Sequence, residues 1–343
     1  MLEVRENVQL APFTTLEIGG PARYFVEAAG DDEIVAALEF ADERGLAVFV
    51  LGGGSNILVS DAGFDGLVLR VCPRGIRANE VGGDAVLVTA AAGEEWDTLV
   101  RYCVDRDLAG IENLSGIPGL VGGTPVQNVG AYGQEVSETI LTVRCLDRTD
   151  GRIVDLDHTA CGFSYRCSIF NSTERDRYVV LAVTFELKSG GGPNLRYKDL
   201  AEYFGGRQPT IDEVRDAVIA IRKRKSMVID TADPNHRSAG SFFKNPVLSP
   251  EEFKVLKDRF EAVPSFPFED AIKVPAAWLI EKAGFHKGFR QGNAGISTNH
   301  TLALINRGGA LAADIIGLKE LIQDSVRHEF GIDLVPEPVF VGF

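Results

Sequence analysis

The run Gly116-Ile117-Pro118-Gly119-Leu120-Val121-Gly122-Gly123-Thr124-Pro125-Val126-Gln127-Asn128-Val129-Gly130-Ala131-Tyr132-Gly133 cannot be a regular helix or strand. Glycine at this density weakens both ladders, and a backbone so bare is expected where it must approach something closely. A shorter stretch, Leu51-Gly52-Gly53-Gly54-Ser55-Asn56-Ile57-Leu58, follows a β-rich segment. Its glycines form a tight turn whose N–H groups can come up to a phosphate. It is not GxGxxG, because position 57 is Ile, nor GxxxxGK[ST], so the ordinary dinucleotide-fold and P-loop readings both fail. Taken alone, the shorter string reads equally well as a simple turn. Two such loops, separated by a strand and a helix, point instead to a cofactor clamp.

Around these loops, strand-like and helix-like segments alternate, which sets the class as α+β. Segments 47–51, 85–90, 143–146, 152–155 and 179–187 read as strands, and 32–44 and 94–107 as helices. The strand pattern stops near Ser189-Gly190-Gly191-Gly192-Pro193, where a hinge between two functional halves is expected. Beyond it come helices over 211–225, 250–260, 276–283 and 310–330, a strand over 302–305 and a closing strand over 338–343. The chain has 343 residues, 45% of them hydrophobic, enough to bury two or three domain cores.

The apolar stretches fall far short of the roughly 20 residues that span a bilayer, and the N-terminus lacks a secretory pattern, so a cytoplasmic protein is expected. The odd set Cys72, Cys103, Cys145, Cys161 and Cys167 contains no CxxC pair and reads as reduced thiols. The histidines are dispersed and give no metal site. A net charge of −14 argues against a nucleic-acid partner. The exception is Arg222-Lys223-Arg224-Lys225, which reads either as a solvated helix end or as a focus for a small anion.

Four ordered motifs then carry a resemblance over nearly the whole chain. LGGGSNILVSD, SGIPGLVGGTPVQNVGAYGQEV, FSYRCSIF and SAGSFFKNP resemble the bacterial UDP-N-acetylenolpyruvoylglucosamine reductases, in the same order. The resemblance implies an FAD-binding fold of the vanillyl-alcohol-oxidase type in two subdomains, 1–70 (closed by 335–343) and 71–210, with a substrate-binding domain over 211–334. It implies non-covalent FAD, NADPH as co-substrate, and an enolpyruvyl UDP-sugar reduced to UDP-N-acetylmuramate for the cell wall. The protein is expected to be a monomer without membrane insertion.

The implied chemistry needs particular side chains. Hydride added to the enol ether's CH2 carbon leaves negative charge running into the neighbouring carboxylate, and an acid must then protonate the adjacent carbon. Arg166 matches the family arginine that holds this charge, Ser241 the proton donor and Glu337 a carboxyl near the reacting end. Without the resemblance these read as a surface ion pair, a cap or turn hydroxyl and a solvated turn glutamate. Gly52, Gly53, Gly54, Ser55, Asn56, Gly116, Ile117, Pro118, Gly122, Gly123, Gly130, Ala131 and Tyr132 match the flavin loops. Tyr197 resembles the mobile tyrosine loop of the longer subclass, and Lys225 and Asn245 match positions that contact the diphosphate. The residues after Lys225 depart from the family form, as do Asn299 and His300, where some relatives carry glutamines.

Two rivals remain at this level. A flavin oxidase of the same fold would lack SAGSFFKNP, and a non-catalytic UDP-sugar-binding protein would have no need of Arg166, Ser241 and Glu337 together.

Overall fold

A computed structural model describes residues 2–343 and divides the chain into two compact units. The first takes the chain up to Val8, Ala22–Gly54 and Asp65–Val228; the second takes Gln9–Pro21, Ser55–Phe64 and Ile229–Phe343.

The first unit carries two sheets. One has the strand order Arg5–Gln9, Pro21–Ala28, Phe64–Val71, Ala47–Leu51, the last two parallel with Ala47 opposite Gly66. The other runs Ile153–Asp157, Ile140–Asp147, Tyr178–Ser189, Ala85–Ala91, Ile76–Gly82, and Leu108–Ala109 pairs with the end of Tyr178–Ser189. Period-2 patterning explains the long strand: Val179, Leu181, Val183, Phe185 and Leu187 are buried in a core shared with Leu67 and Leu69 of the first sheet. Helix Asp31–Asp42 turns Ile34, Ala37, Leu38 and Ala41 into the same core. The expected helix over 94–107 is shorter, Trp96–Val104, because Glu95 is extended and Asp107 is left-handed.

The chain stays in this unit through Val228, so no boundary between compact units falls at 189–193. Helix Ile211–Arg224, expected to open the substrate-binding domain, packs against the glycine-loop scaffold: Arg215 forks both carboxylate oxygens of Asp97 at 2.8 and 2.7 Å. These partners lie 118 positions apart.

The second unit is built on helix Ala312–Phe330, which buries Ile315, Leu318, Ile322 and Val326 at helical spacing and stops at left-handed Gly331. Two small antiparallel sheets join its core: Val247–Leu248, Ala271–Lys273, Phe266–Phe268, and Arg290–Gln291, Ala294–Ile296, Leu304–Asn306. The closing strand Val339–Val341 pairs in parallel with Ile57–Val59. No helix among the described residues is long and apolar enough to cross a membrane.

Candidate active site

Within the first unit the two glycine loops meet. A Cβ on Gly53 would stand 2.6 Å from the Gly119 Cα, so the backbones touch where neither carries a side chain. Gly54 is left-handed at φ +63° and ends this stretch of the unit. Around Gly52 and Gly123 nothing lies within 4 Å of a Cβ position, which leaves bare backbone facing open space. Gly122 lies in the short turn Val121–Gly123, and Ile117 packs on the main core beside Pro118. Asp97 ties this loop down, accepting the Gly116 N–H at 2.6 Å, while Arg222 donates to the Gly116 carbonyl at 3.2 Å. Burial pushes the Asp97 carboxyl up, but Arg215 and the Gly116 N–H outweigh it and hold the group below its ordinary range.

The far end of the long loop seats Arg166. Gly130 and Ala131 pair with Gln134 and Glu135, and the Gly130 carbonyl accepts from Arg166 Nη2 at 2.6 Å. A Cβ on Gly130 would stand 2.9 Å from Arg166 Nη1, so a side chain there would push the guanidinium out of this seat. Arg166 itself is left-handed, φ +54°, in the turn between the paired residues Ser164 and Cys167. Its guanidinium, 17% exposed, also lies 3.8 Å from Glu135. Buried Asn128 braces both partners, donating to Glu135 at 2.8 Å and to the Ser164 carbonyl at 3.1 Å.

Tyr132 and Tyr197 meet edge to face with ring centroids 5.4 Å apart. Lys225 Nζ lies 5.8 Å from the Tyr132 ring centre and donates to Asp199 at 3.3 Å. Both substrate-grip candidates of the first unit thus stand beside the end of the glycine-rich loop. Burial pushes both tyrosine hydroxyls up, so they are uncharged donors at neutral pH.

The second unit gathers the remaining candidates. The Glu337 N–H donates to the Phe242 carbonyl at 2.9 Å and the Lys244 N–H to the Val335 carbonyl at 2.9 Å, which lays SAGSFFKNP alongside the closing segment. Asn56 Nδ2 donates to the Glu337 carbonyl at 3.2 Å, and the Val339 N–H returns to the Asn56 carbonyl at 3.0 Å. The Ser55 carbonyl lies 3.5 Å from Thr15 Oγ1, which donates to Ser238 at 2.6 Å. Ser241 Oγ lies 3.4 Å from His300 Nε2. Asn245 Oδ1 accepts from the Ala276 N–H at 2.9 Å, at the start of helix Ala276–Lys282.

The sequence pattern of an FAD-binding domain matches residues 22–157, and that of the C-terminal domain of UDP-N-acetylenolpyruvoylglucosamine reductase matches 233–341. The UDP-N-acetylenolpyruvoylglucosamine reductase of Thermobifida fusca is 49% identical over 348 residues, 98% of this chain and 97% of that protein. The chain belongs to the UDP-N-acetylenolpyruvoylglucosamine reductase family. The Cutibacterium acnes enzyme of the same name is 46% identical over 98% of this chain and 90% of its own length. The crystal structure of the Thermus caldophilus enzyme is 27% identical, with a TM-score of 0.70 over 99% of this chain and 100% of that one.

As a UDP-N-acetylenolpyruvoylglucosamine reductase, the chain is an FAD enzyme, and its residues fit that cofactor. The bare faces at Gly52 and Gly123 offer the close backbone approach that a pyrophosphate needs. Asn128, Glu135 and Asp97 were not singled out in the sequence. Asn128 and Glu135 sit inside the quoted loop motif, and their polarity in so apolar and glycine-rich a run was the available signal; Asp97 gave none without the fold. Arg222, read as part of a basic run that is either a solvated helix end or an anion focus, is instead buried and donates to the Gly116 and Met227 carbonyls.

Proposed function

We propose that this protein reduces UDP-N-acetylenolpyruvoylglucosamine to UDP-N-acetylmuramate, with NADPH as the electron source, in building the bacterial cell wall. Bound FAD supplies the hydride. The side chains do the rest. Arg166 grips the substrate carboxylate as charge develops on it, with its guanidinium aimed by the Gly130 and Asn128 carbonyls. Ser241 gives its proton to the adjacent carbon, and the Glu337 carboxyl stands by the same reacting end. Tyr197 and Lys225 hold the diphosphate, and Asn245, its oxygen engaged by Ala276, presents its amino end as a donor.

The observation that supports this reading is the backbone bond from the Glu337 N–H to the carbonyl of Phe242, the residue after Ser241, which joins the two segments that carry these implied catalytic residues. A nicotinamide donor and a UDP-sugar that take turns at one redox group follow ping-pong kinetics. Initial rates against NADPH at several fixed UDP-sugar concentrations give parallel double-reciprocal lines, and intersecting lines would count against the reading.

A further inference from the structure

A serine hydroxyl is a weak acid, and giving up its proton leaves an alkoxide that must be neutralised at once. The structure supplies a partner for that step. His300 Nε2 lies 3.4 Å from Ser241 Oγ, and the pair is built into one piece of backbone. His300 sits in the connection between the paired strands Ala294–Ile296 and Leu304–Asn306. The Ser297 N–H donates to the Ala303 carbonyl at 2.9 Å and the Ala303 N–H to the His300 carbonyl at 3.1 Å, closing that connection into a tight loop. Phe242, the residue after Ser241, donates its N–H to the Leu302 carbonyl at 2.8 Å, and Ser238 bridges Ile305. Hydroxyl and imidazole are therefore held beside each other by backbone contacts between their two segments, Ser238 with Ile305 on one side and Phe242 with Leu302 on the other. Both residues are half-buried, so the imidazole can exchange protons with solvent. A separation at the long end of the hydrogen-bond range is normal before substrate binds, since catalytic contacts tighten in the complex.

We propose that His300 is a positioning and reprotonating residue that acts through Ser241, an inference that rests on Ser241 being the proton donor. As the O–H bond of Ser241 breaks and a C–H bond forms on the substrate, the imidazolium passes its Nε2 proton to the serine oxygen. The serine is restored, the imidazole becomes neutral, and it takes its next proton from water. The substrate gains one hydride and one proton, and the protein ends as it began.

Stopped-flow of the holoenzyme separates flavin reduction by NADPH from reoxidation by the enolpyruvyl UDP-sugar. His300→Ala leaves reduction unchanged and slows reoxidation about tenfold to a hundredfold, less than loss of the acid itself costs. The Kd of the UDP-sugar, measured by calorimetry, stays as in the parent. Added imidazole restores the rate of His300→Ala, whereas His300→Gln, which can hydrogen-bond but not deliver a proton, stays slow. The double variant Ser241→Ala/His300→Ala is no slower than Ser241→Ala and is not rescued by imidazole, because partners acting in series are not additive. A normal reoxidation rate in His300→Gln, an equal loss in both half-reactions, or additive losses in the double variant each overturn the proposal. If instead Ser241→Ala reoxidises at the parent rate, the donor assignment itself fails, which is a separate result.

Discussion

The backbone N–H of Glu337 donates to the carbonyl of Phe242 at 2.9 Å, so the closing segment of the chain is fastened one residue away from Ser241. This bond uses no side-chain atom, and Asn56 Nδ2 donates to the backbone carbonyl of Glu337. Glu337→Gln keeps these backbone contacts and the shape of the side chain, so it is expected to keep the parent melting temperature while slowing reoxidation by the UDP-sugar by on the order of 10². A thermal scan beside a stopped-flow trace checks both halves of this expectation.

The glycine loops separate packing from cofactor binding. At Gly53 a methyl group meets the Gly119 backbone at 2.6 Å, so Gly53→Ala destabilises even the flavin-free protein, by about 1–3 kcal/mol. At Gly123 nothing lies within 4 Å, so Gly123→Ala leaves the flavin-free melting temperature unchanged and lowers flavin retention. Thermal scans of flavin-free protein, paired with flavin content after gel filtration, distinguish the two.

Asp97 holds Gly116 and Arg215 together, and Arg215 is only 8% exposed. Asp97→Asn leaves that buried guanidinium without its counter-charge and breaks the two-oxygen fork. Because Asp97 is itself 40% exposed, solvent screening limits the cost to about 1–3 kcal/mol. Its folded pKa lies below the ordinary 3.8, so the ionised form contributes stability fully above that value and loses it as pH falls through the folded pKa. Melting curves of parent and variant should differ by a constant amount from pH 7 to 5 and converge only in stronger acid.

Lys225 stands between Asp199 and the Tyr132 ring. In the proposed function, its loss removes a charge-assisted contact to the diphosphate without touching the reacting carbons. Lys225→Ala is expected to raise KM for the UDP-sugar roughly tenfold or more while kcat changes little, since such a contact contributes about 1.5–3 kcal/mol. Steady-state kinetics at saturating NADPH measure this split, and a fall in kcat with unchanged KM would contradict the assigned role.

The strands and long helices were legible because period-2 and helical patterns survive in segments such as 179–187 and 310–330. The glycine loops were legible because few other uses explain so many residues without side chains in one run. What the sequence hid was long-range. The Asp97–Arg215 clamp spans 118 positions, and it draws helix Ile211–Arg224 into the first unit, although a Gly-Gly-Gly-Pro stretch precedes that helix. The Ser241–His300 pair spans 59 positions and depends on a strand connection that no periodicity announces. Short paired strands such as Arg290–Gln291 and Val247–Leu248 carry too few residues to show a pattern at all.

In the proposed cycle the flavin is reduced by one substrate and reoxidised by another. The visible spectrum of the purified protein, recorded under exclusion of oxygen, tests this cycle directly. Flavin absorbance should be present, should bleach on addition of NADPH, and should return on addition of UDP-N-acetylenolpyruvoylglucosamine with formation of one UDP-N-acetylmuramate per flavin. Absorbance that bleaches but returns only when oxygen is admitted would contradict the account and point to an oxidase.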